Sequence, residues 1–163
     1  MDPRRQDFMG SLGLLVLRIG FGGYMLSHGW GKLKMLLEGD TAGFADPLGL
    51  GETLSLLGAV TGEFVGALLV LIGLCTRFAA IPTFFTMLVA GMVVHKADPW
   101  TMGHAAKLFM EGATKFPASK EPALLFACAF LALALMGAGK YSFDGMILPQ
   151  LRAQRAKRKA LGQ

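Results

Sequence analysis

The stretch LSLLGAVTGEFVGALLVLIGLC, residues 54–75, is almost entirely apolar or small and contains one charged side chain, Glu63. As an α-helix rising 1.5 Å per residue, it would cross a hydrocarbon core about 30 Å thick. In lipid, backbone N–H and C=O groups must find partners within the protein, and a helix provides them within a single segment. The stretch therefore predicts a transmembrane helix.

Three further apolar runs lie around this stretch, at residues 9–30, 78–94 and 122–139. Each is long enough to span a bilayer as a helix. The 163-residue chain is 53% hydrophobic and 17% charged, whereas soluble domains are about a quarter charged. We predict an all-α membrane protein, an antiparallel bundle of four transmembrane helices. It would form one domain, residues 1–145, followed by a basic tail, residues 146–163.

The basic residues predict the orientation of this bundle. They are concentrated on the side that carries Arg4, Arg5, Arg77, Lys140 and the tail, whereas the other side mixes lysines with acidic residues. Positively charged loops stay in the cytoplasm, so we expect both termini there, with the protein in a bacterial inner membrane. Much of the net charge of +5 lies in the tail, which is typical of a cytoplasmic anchor beside the lipid bilayer. We predict no nucleic-acid partner.

Three glycines recur at every fourth position of the second apolar run: Gly58, Gly62 and Gly66. Such a stripe of small residues lets another helix approach closely in a membrane. We predict that all three glycines pack inside the bundle. A homo-oligomer contact is the alternative.

Two charges lie within the predicted spans, Arg18 in the first and Glu63 in the second. Counted from the ends of their apolar runs, both reach the middle of the bilayer, where a lone charge costs at least about 2.5–3.5 kcal/mol. Opposite charges at equal depth can offset this cost, so we predict a buried Arg18–Glu63 ion pair. The pair would act as a structural clamp, as a site for a polar or quinone-like head group, or as a proton relay.

His28 and His95 end the first and third predicted spans, with Lys32 close to His28 in sequence. Two histidines on facing helices can ligate haem or a transition metal. Histidines at a membrane interface more often form hydrogen bonds or face lipid. The sequence therefore predicts no metal and no haem, with His28 and His95 as the one alternative pair of ligands.

Several segments, in their order and spacing, resemble the DoxX family of small bacterial membrane proteins over residues 10–145. They are Leu17–Gly20, His28–Leu33, Glu63, Gly73–Arg77, Lys120–Leu125 and Gly137–Asp144. The resemblance implies a four-helix inner-membrane bundle associated with quinol oxidation, thiosulfate:quinone oxidoreduction, or defence against oxidants and reactive sulfur. The sequence itself shows no redox cofactor site, so any electrons would have to be carried by a bound quinone or by a redox or sulfur-handling partner protein.

These observations lead to two hypotheses about function. In the first, the protein is a quinone-interacting, redox-associated membrane subunit, and if it is an enzyme, it is a subunit of a quinone-linked oxidoreductase. Its quinone pocket, open to the outer leaflet between the first three spans with the fourth as a packing wall, would be lined by Arg18, His28, Lys32, Glu63 and His95. In the second, the protein is a non-enzymatic scaffold, carrier or partner-docking subunit, and these five residues serve folding and anchoring only.

Overall fold

A computed structural model describes residues 3–160, which form helices connected by turns and loops, without a strand. The predicted all-α class is confirmed. The helices are α1 (Pro3–Glu38), α2 (Glu52–Ile72), α3 (Thr76–Val94), α4 (Met102–Met110), α5 (Glu121–Met136) and α6 (Phe143–Ala160). Helix α2 contains a wider π-helical segment at Thr61–Gly66, and α3 ends in another at Ala90–Val94.

Helices α1, α2 and α3 are each long and apolar enough to cross a membrane. Helix α5 is equally apolar in character but comprises 16 residues, fewer than a typical span. It ends at Met136, earlier than the predicted 139, because Gly137 and Gly139 adopt positive φ angles that break the helix. The predicted tail lies mostly within α6, and its last residues, 161–163, lie outside the described residues.

Each end of the molecule has a distinct construction. At the turn end, defined here by residues 73–75 and 137–142, α2 stops at Gly73 and α3 starts at Thr76. The carboxylate of Asp144 accepts hydrogen bonds from the backbone N–H groups of Cys75 (2.8 Å) and Thr76 (2.9 Å), which caps α3. At the loop end, defined by residues 39–51 and 95–120, two long segments cover the helices.

The helices pack around a core to which α1, α2, α3 and α5 all contribute. Helix α1 lies along α2, and α3 lies along both α2 and α5. Large apolar side chains such as Tyr24, Phe78 and Leu135 point outward and are exposed in the isolated chain. An apolar exterior is suited to contact with the lipid bilayer. The core includes Leu14, Met25, Ala67, Val70, Ala80, Met87, Phe130 and Leu133.

Two of the three predicted packing glycines lie against α3. A Cβ atom on Gly66 would lie 2.9 Å from the Ala79 carbonyl oxygen, and one on Gly62 would lie 3.1 Å from that of Pro82. A Cβ on Gly58 would meet no atom within 4 Å. The prediction that Gly58 belongs to the packing face is therefore wrong, because α2 and α3 have separated at that level and leave open space.

Candidate functional site

Arg18 lies at the turn end, where its guanidinium group is buried and bonded entirely to backbone carbonyl oxygens. Its Nε donates to Val70 (2.9 Å), one terminal nitrogen donates to Leu71 (2.9 Å), and the other donates to Ala138 (3.0 Å) and Tyr141 (2.8 Å). The carbonyls at the end of a helix have no partner within that helix. Arg18 thus closes the end of α2 and ties it to the segment that follows α5.

The predicted ion pair between Arg18 and Glu63 is wrong, because each residue has other partners. The backbone of Glu63 lies beside Gly29 of α1, where a Cβ atom would lie 2.5 Å from the Glu63 carbonyl carbon. Gly29 is about 16 Å further along α1 than Arg18, at 1.5 Å per residue. Helix α1 extends well past α2 at the turn end, so the depth counted from the apolar runs did not give the register between the two helices.

Glu63 forms its ion pair with Lys32, one turn of α1 beyond Gly29. Its carboxylate oxygen Oε1 accepts a hydrogen bond from the Lys32 ammonium nitrogen. Glu63 is 2% exposed and sits in the π-helical segment of α2, a type of local widening that is frequent at functional sites. Because Lys32 shares a helix face with Gly29, the close approach at Gly29 brings the Lys32 side chain to Glu63.

A cavity of about 440 Å³, called here the polar cavity, lies near the loop end. Four of the five predicted pocket residues line it, namely His28, Lys32, Glu63 and His95, whereas Arg18 does not. Helix α5 also lines this cavity, through Pro122, Ala123 and Phe126, so the prediction that the pocket lies between the first three spans, with the fourth as a packing wall, is wrong. Within this wall, the ring of Phe126 meets His28 edge to face at 6.2 Å between centroids.

Two residues of this site were missed by the sequence analysis. Asp98 bonds His95, with 2.7 Å between its Oδ2 and the imidazole Nδ1, and so fixes the orientation of that ring. Ser119 lines the polar cavity from the loop before α5, and its hydroxyl oxygen is buried without a hydrogen-bond partner. The spacing of His95 and Asp98 was a usable signal, whereas nothing near Ser119 in the sequence indicates its place.

Among the residues that the structure describes, no group of three or more His, Cys, Asp or Glu side chains is close enough to hold a metal ion. The polar cavity instead contains a negatively charged group, a positively charged group and further side chains that can form hydrogen bonds. Glu63 supplies a carboxylate, Lys32 an ammonium group, His28 and His95 imidazoles, and Ser119 a free hydroxyl. This arrangement can bind a small polar group that both accepts and donates hydrogen bonds.

The family model for DoxX matches residues 13–96, just over half of the chain. The match covers most of α1 together with α2 and α3, and it includes the four predicted residues that line the polar cavity, His28, Lys32, Glu63 and His95. The segments at 120–125 and 137–144 that contributed to the resemblance lie beyond it. No curated protein and no solved structure matches the chain.

Proposed function

The chain belongs to the DoxX family of membrane proteins, and from this premise we propose that it binds the head group of a quinone in the polar cavity, as a quinone-interacting, redox-associated membrane subunit. One observation carries the proposal: the buried Glu63 carboxylate pairs with the partly buried Lys32 in a cavity that is also lined by two histidines and an unpaired hydroxyl. Ionisable groups inside a membrane protein are costly and are typical of binding sites and proton pathways.

Each polar residue has a role in this proposal. Lys32 takes the part that Arg18 was predicted to play, placing a positive charge near the bound head group. Glu63 orients Lys32 and can exchange a proton with the ligand. His28 would donate a hydrogen bond to a quinone carbonyl oxygen, and the Nε2 of His95, whose Nδ1 bonds Asp98, would accept one from a hydroxyl of the reduced head group. Arg18 has no part in the binding site and supports the fold at the turn end. A redox or sulfur-handling partner protein would supply or accept the electrons.

The proposal is tested by the quinone that the protein retains after purification in mild detergent. We expect quinone in a lipid extract of the wild-type protein, and about ten-fold less in His28→Ala, His95→Ala and Ser119→Ala, because each removes a hydrogen bond from a buried head group. The control is His104→Ala, which changes an exposed histidine on α4 that does not line the polar cavity. Chromatography of the extracts with absorbance detection measures the retained quinone.

Two outcomes would contradict the proposal. A wild-type protein that retains no quinone and binds none when it is added would favour a scaffold, carrier or partner-docking subunit. The same holds if His28→Ala, His95→Ala and Ser119→Ala fold normally and retain as much quinone as His104→Ala.

We further propose that α1, α2, α3 and α5 all cross the inner membrane, with the turn end and both termini in the cytoplasm. The basic residues Arg77 and Lys140 at the turn end, together with the basic tail, support this orientation. The apolar character of α5 and its long packing against α3 support a fourth span. The short length of α5 is compatible with local thinning of the bilayer.

Cysteine labelling in intact cells tests the orientation. In a background without Cys75 and Cys128, single cysteines at Asp40 and Lys115 should react with a membrane-impermeant thiol reagent, whereas one at Gln154 should react only after the membrane is broken. All three positions are exposed in the structure, so access to the reagent depends on the side of the membrane. Labelling at Gln154 in intact cells, with Asp40 and Lys115 protected, would reverse the proposed orientation.

A further inference from the structure

A second cavity, called here the apolar cavity, lies on the other side of the Lys32–Glu63 pair and measures about 400 Å³. Its hydroxyl groups are already bonded to protein, since Ser55 donates to Asp46 (2.7 Å) and Thr86 donates to the Pro82 carbonyl (2.8 Å). They differ in this from the Ser119 hydroxyl of the polar cavity, which has no hydrogen-bond partner. Most of the lining is hydrocarbon, from residues that include Phe44, Leu48, Leu50, Leu54, Val89 and Val94.

The apolar cavity and the polar cavity adjoin. Lys32, Glu63, Ala90 and His95 line both of them. A molecule bound beside Glu63 in the polar cavity therefore has the apolar cavity directly behind the ion pair. The polar cavity adds His28 and Ser119 to the shared charged residues, whereas the rest of the apolar cavity is lined mostly by hydrocarbon.

The loop that covers the apolar cavity is held by specific hydrogen bonds. The carboxylate of Asp46 accepts them from the Ser55 hydroxyl and from the backbone N–H groups of Leu50 (2.9 Å) and Gly51 (2.8 Å). These hydrogen bonds hold the pKa of Asp46 below its usual range, and the bond from Ser55 contributes most, with that from Gly51 second. These hydrogen bonds hold Leu50 over the cavity. On the α2 wall, Gly58 has no side chain and therefore leaves open space.

We propose that the apolar cavity holds the hydrocarbon chain of the ligand whose head group occupies the polar cavity. The inference rests on the proposed function and names the ligand class as an amphiphile with a carbonyl-bearing ring and an apolar chain. A polar ligand alone would not use the second volume, and a plain hydrocarbon would not offer partners to Glu63, Lys32 or Ser119. In lipid the chain gains little from the hydrophobic effect, so its binding depends on close packing with the cavity wall.

The test fills the apolar cavity without disturbing the head-group site. Gly58→Leu places a side chain into space where a Cβ meets no atom within 4 Å, and Gly13→Leu makes the same change on an equally open, exposed face of α1. The probes are 2,3-dimethoxy-5-methyl-1,4-benzoquinone and its 6-decyl derivative, titrated into detergent-solubilised protein. Affinities are compared between proteins for one probe at a time, because partition of the decyl chain into micelles is then the same throughout.

We expect Gly58→Leu to weaken binding of the decyl probe about ten-fold and to change that of the chainless probe by less than about two-fold. Gly13→Leu should match the wild type with both probes. Decyl binding that is unchanged in Gly58→Leu, or an equal loss for both probes, would overturn the chain cavity while the proposed head-group site still stands. A wild-type protein that fails to bind the chainless probe would contradict the proposed function itself.

Discussion

Arg18→Met is expected to lower the free energy of unfolding by more than about 3 kcal/mol, which would remove most folded protein from the membrane. The change keeps the length and apolar stem of the side chain but deletes all four hydrogen bonds to the carbonyls of Val70, Leu71, Ala138 and Tyr141. No side chain at this position other than arginine has a planar fork of five donors that can serve four acceptors at once. The yield of monodisperse protein on size exclusion and unfolding in mixed micelles with increasing dodecyl sulfate would measure the loss.

Two further variants make this prediction specific. Arg18→Lys retains the charge but supplies only three donors, so we expect an intermediate loss. Arg77→Met removes an arginine from the same end of the molecule, where Arg77 is exposed and makes one long contact of 3.4 Å with the Met136 carbonyl. The free energy of unfolding of Arg77→Met should lie within about 0.5 kcal/mol of that of the wild type. Equal stability of Arg18→Met and Arg77→Met would show that the carbonyl bonds do not hold the turn end together.

Lys32→Met is expected to destabilise the protein by about 3–5 kcal/mol, because it leaves the Glu63 carboxylate buried without its counter-charge. Glu63→Gln should cost less, since Lys32 is partly exposed (29% for its side chain) and can turn its ammonium group toward water. The double variant should be more stable than the sum of the two single effects predicts, as expected for residues in direct contact. Unfolding in mixed micelles gives all four free energies.

The exposed pair of Lys107 on α4 and Glu111 directly after it provides the control for this cycle. Lys107→Met removes the same type of residue from a solvated pair 3.7 Å apart, and it should change stability by less than about 1 kcal/mol. Strict additivity of Lys32→Met and Glu63→Gln would mean that the two side chains do not interact in the folded protein. A larger loss for Glu63→Gln than for Lys32→Met would contradict the assignment of Glu63 as the more deeply buried partner.

The sequence predicted the helical class and four residues of the polar cavity because both depend on local chemistry. Long apolar runs give spans, and a charge such as Glu63 inside a run indicates a polar site regardless of how the helices are arranged. The partner of Glu63 depends instead on the register between α1 and α2, and the length of an apolar run does not fix that register. The close approach at Gly29 does, and it places Lys32 rather than Arg18 beside Glu63.

Other features could not be predicted from the sequence, because they depend on contacts between distant parts of the chain, several of them through backbone groups. The carbonyl partners of Arg18 leave no trace in residue identity, since every residue has a carbonyl. Ser119 is one hydroxyl in a long loop, and its place in the cavity follows from the path of that loop before α5. The separation of α2 from α3 at Gly58 is also invisible, because the glycine stripe is regular in sequence and only its neighbours in space differ.

The contacts at the turn end also set an order of events on the ribosome. Asp144 completes the cap of α3, and its own backbone N–H donates to the Gly73 carbonyl (2.9 Å), so the hairpin of α2 and α3 depends on residues made about 70 positions later. A nascent chain that has released α3 but not Asp144 holds two unpaired N–H groups at the start of that helix. Its Arg18 still lacks the carbonyls of Ala138 and Tyr141. The turn end can therefore be completed only after residues 138–144 have been synthesised.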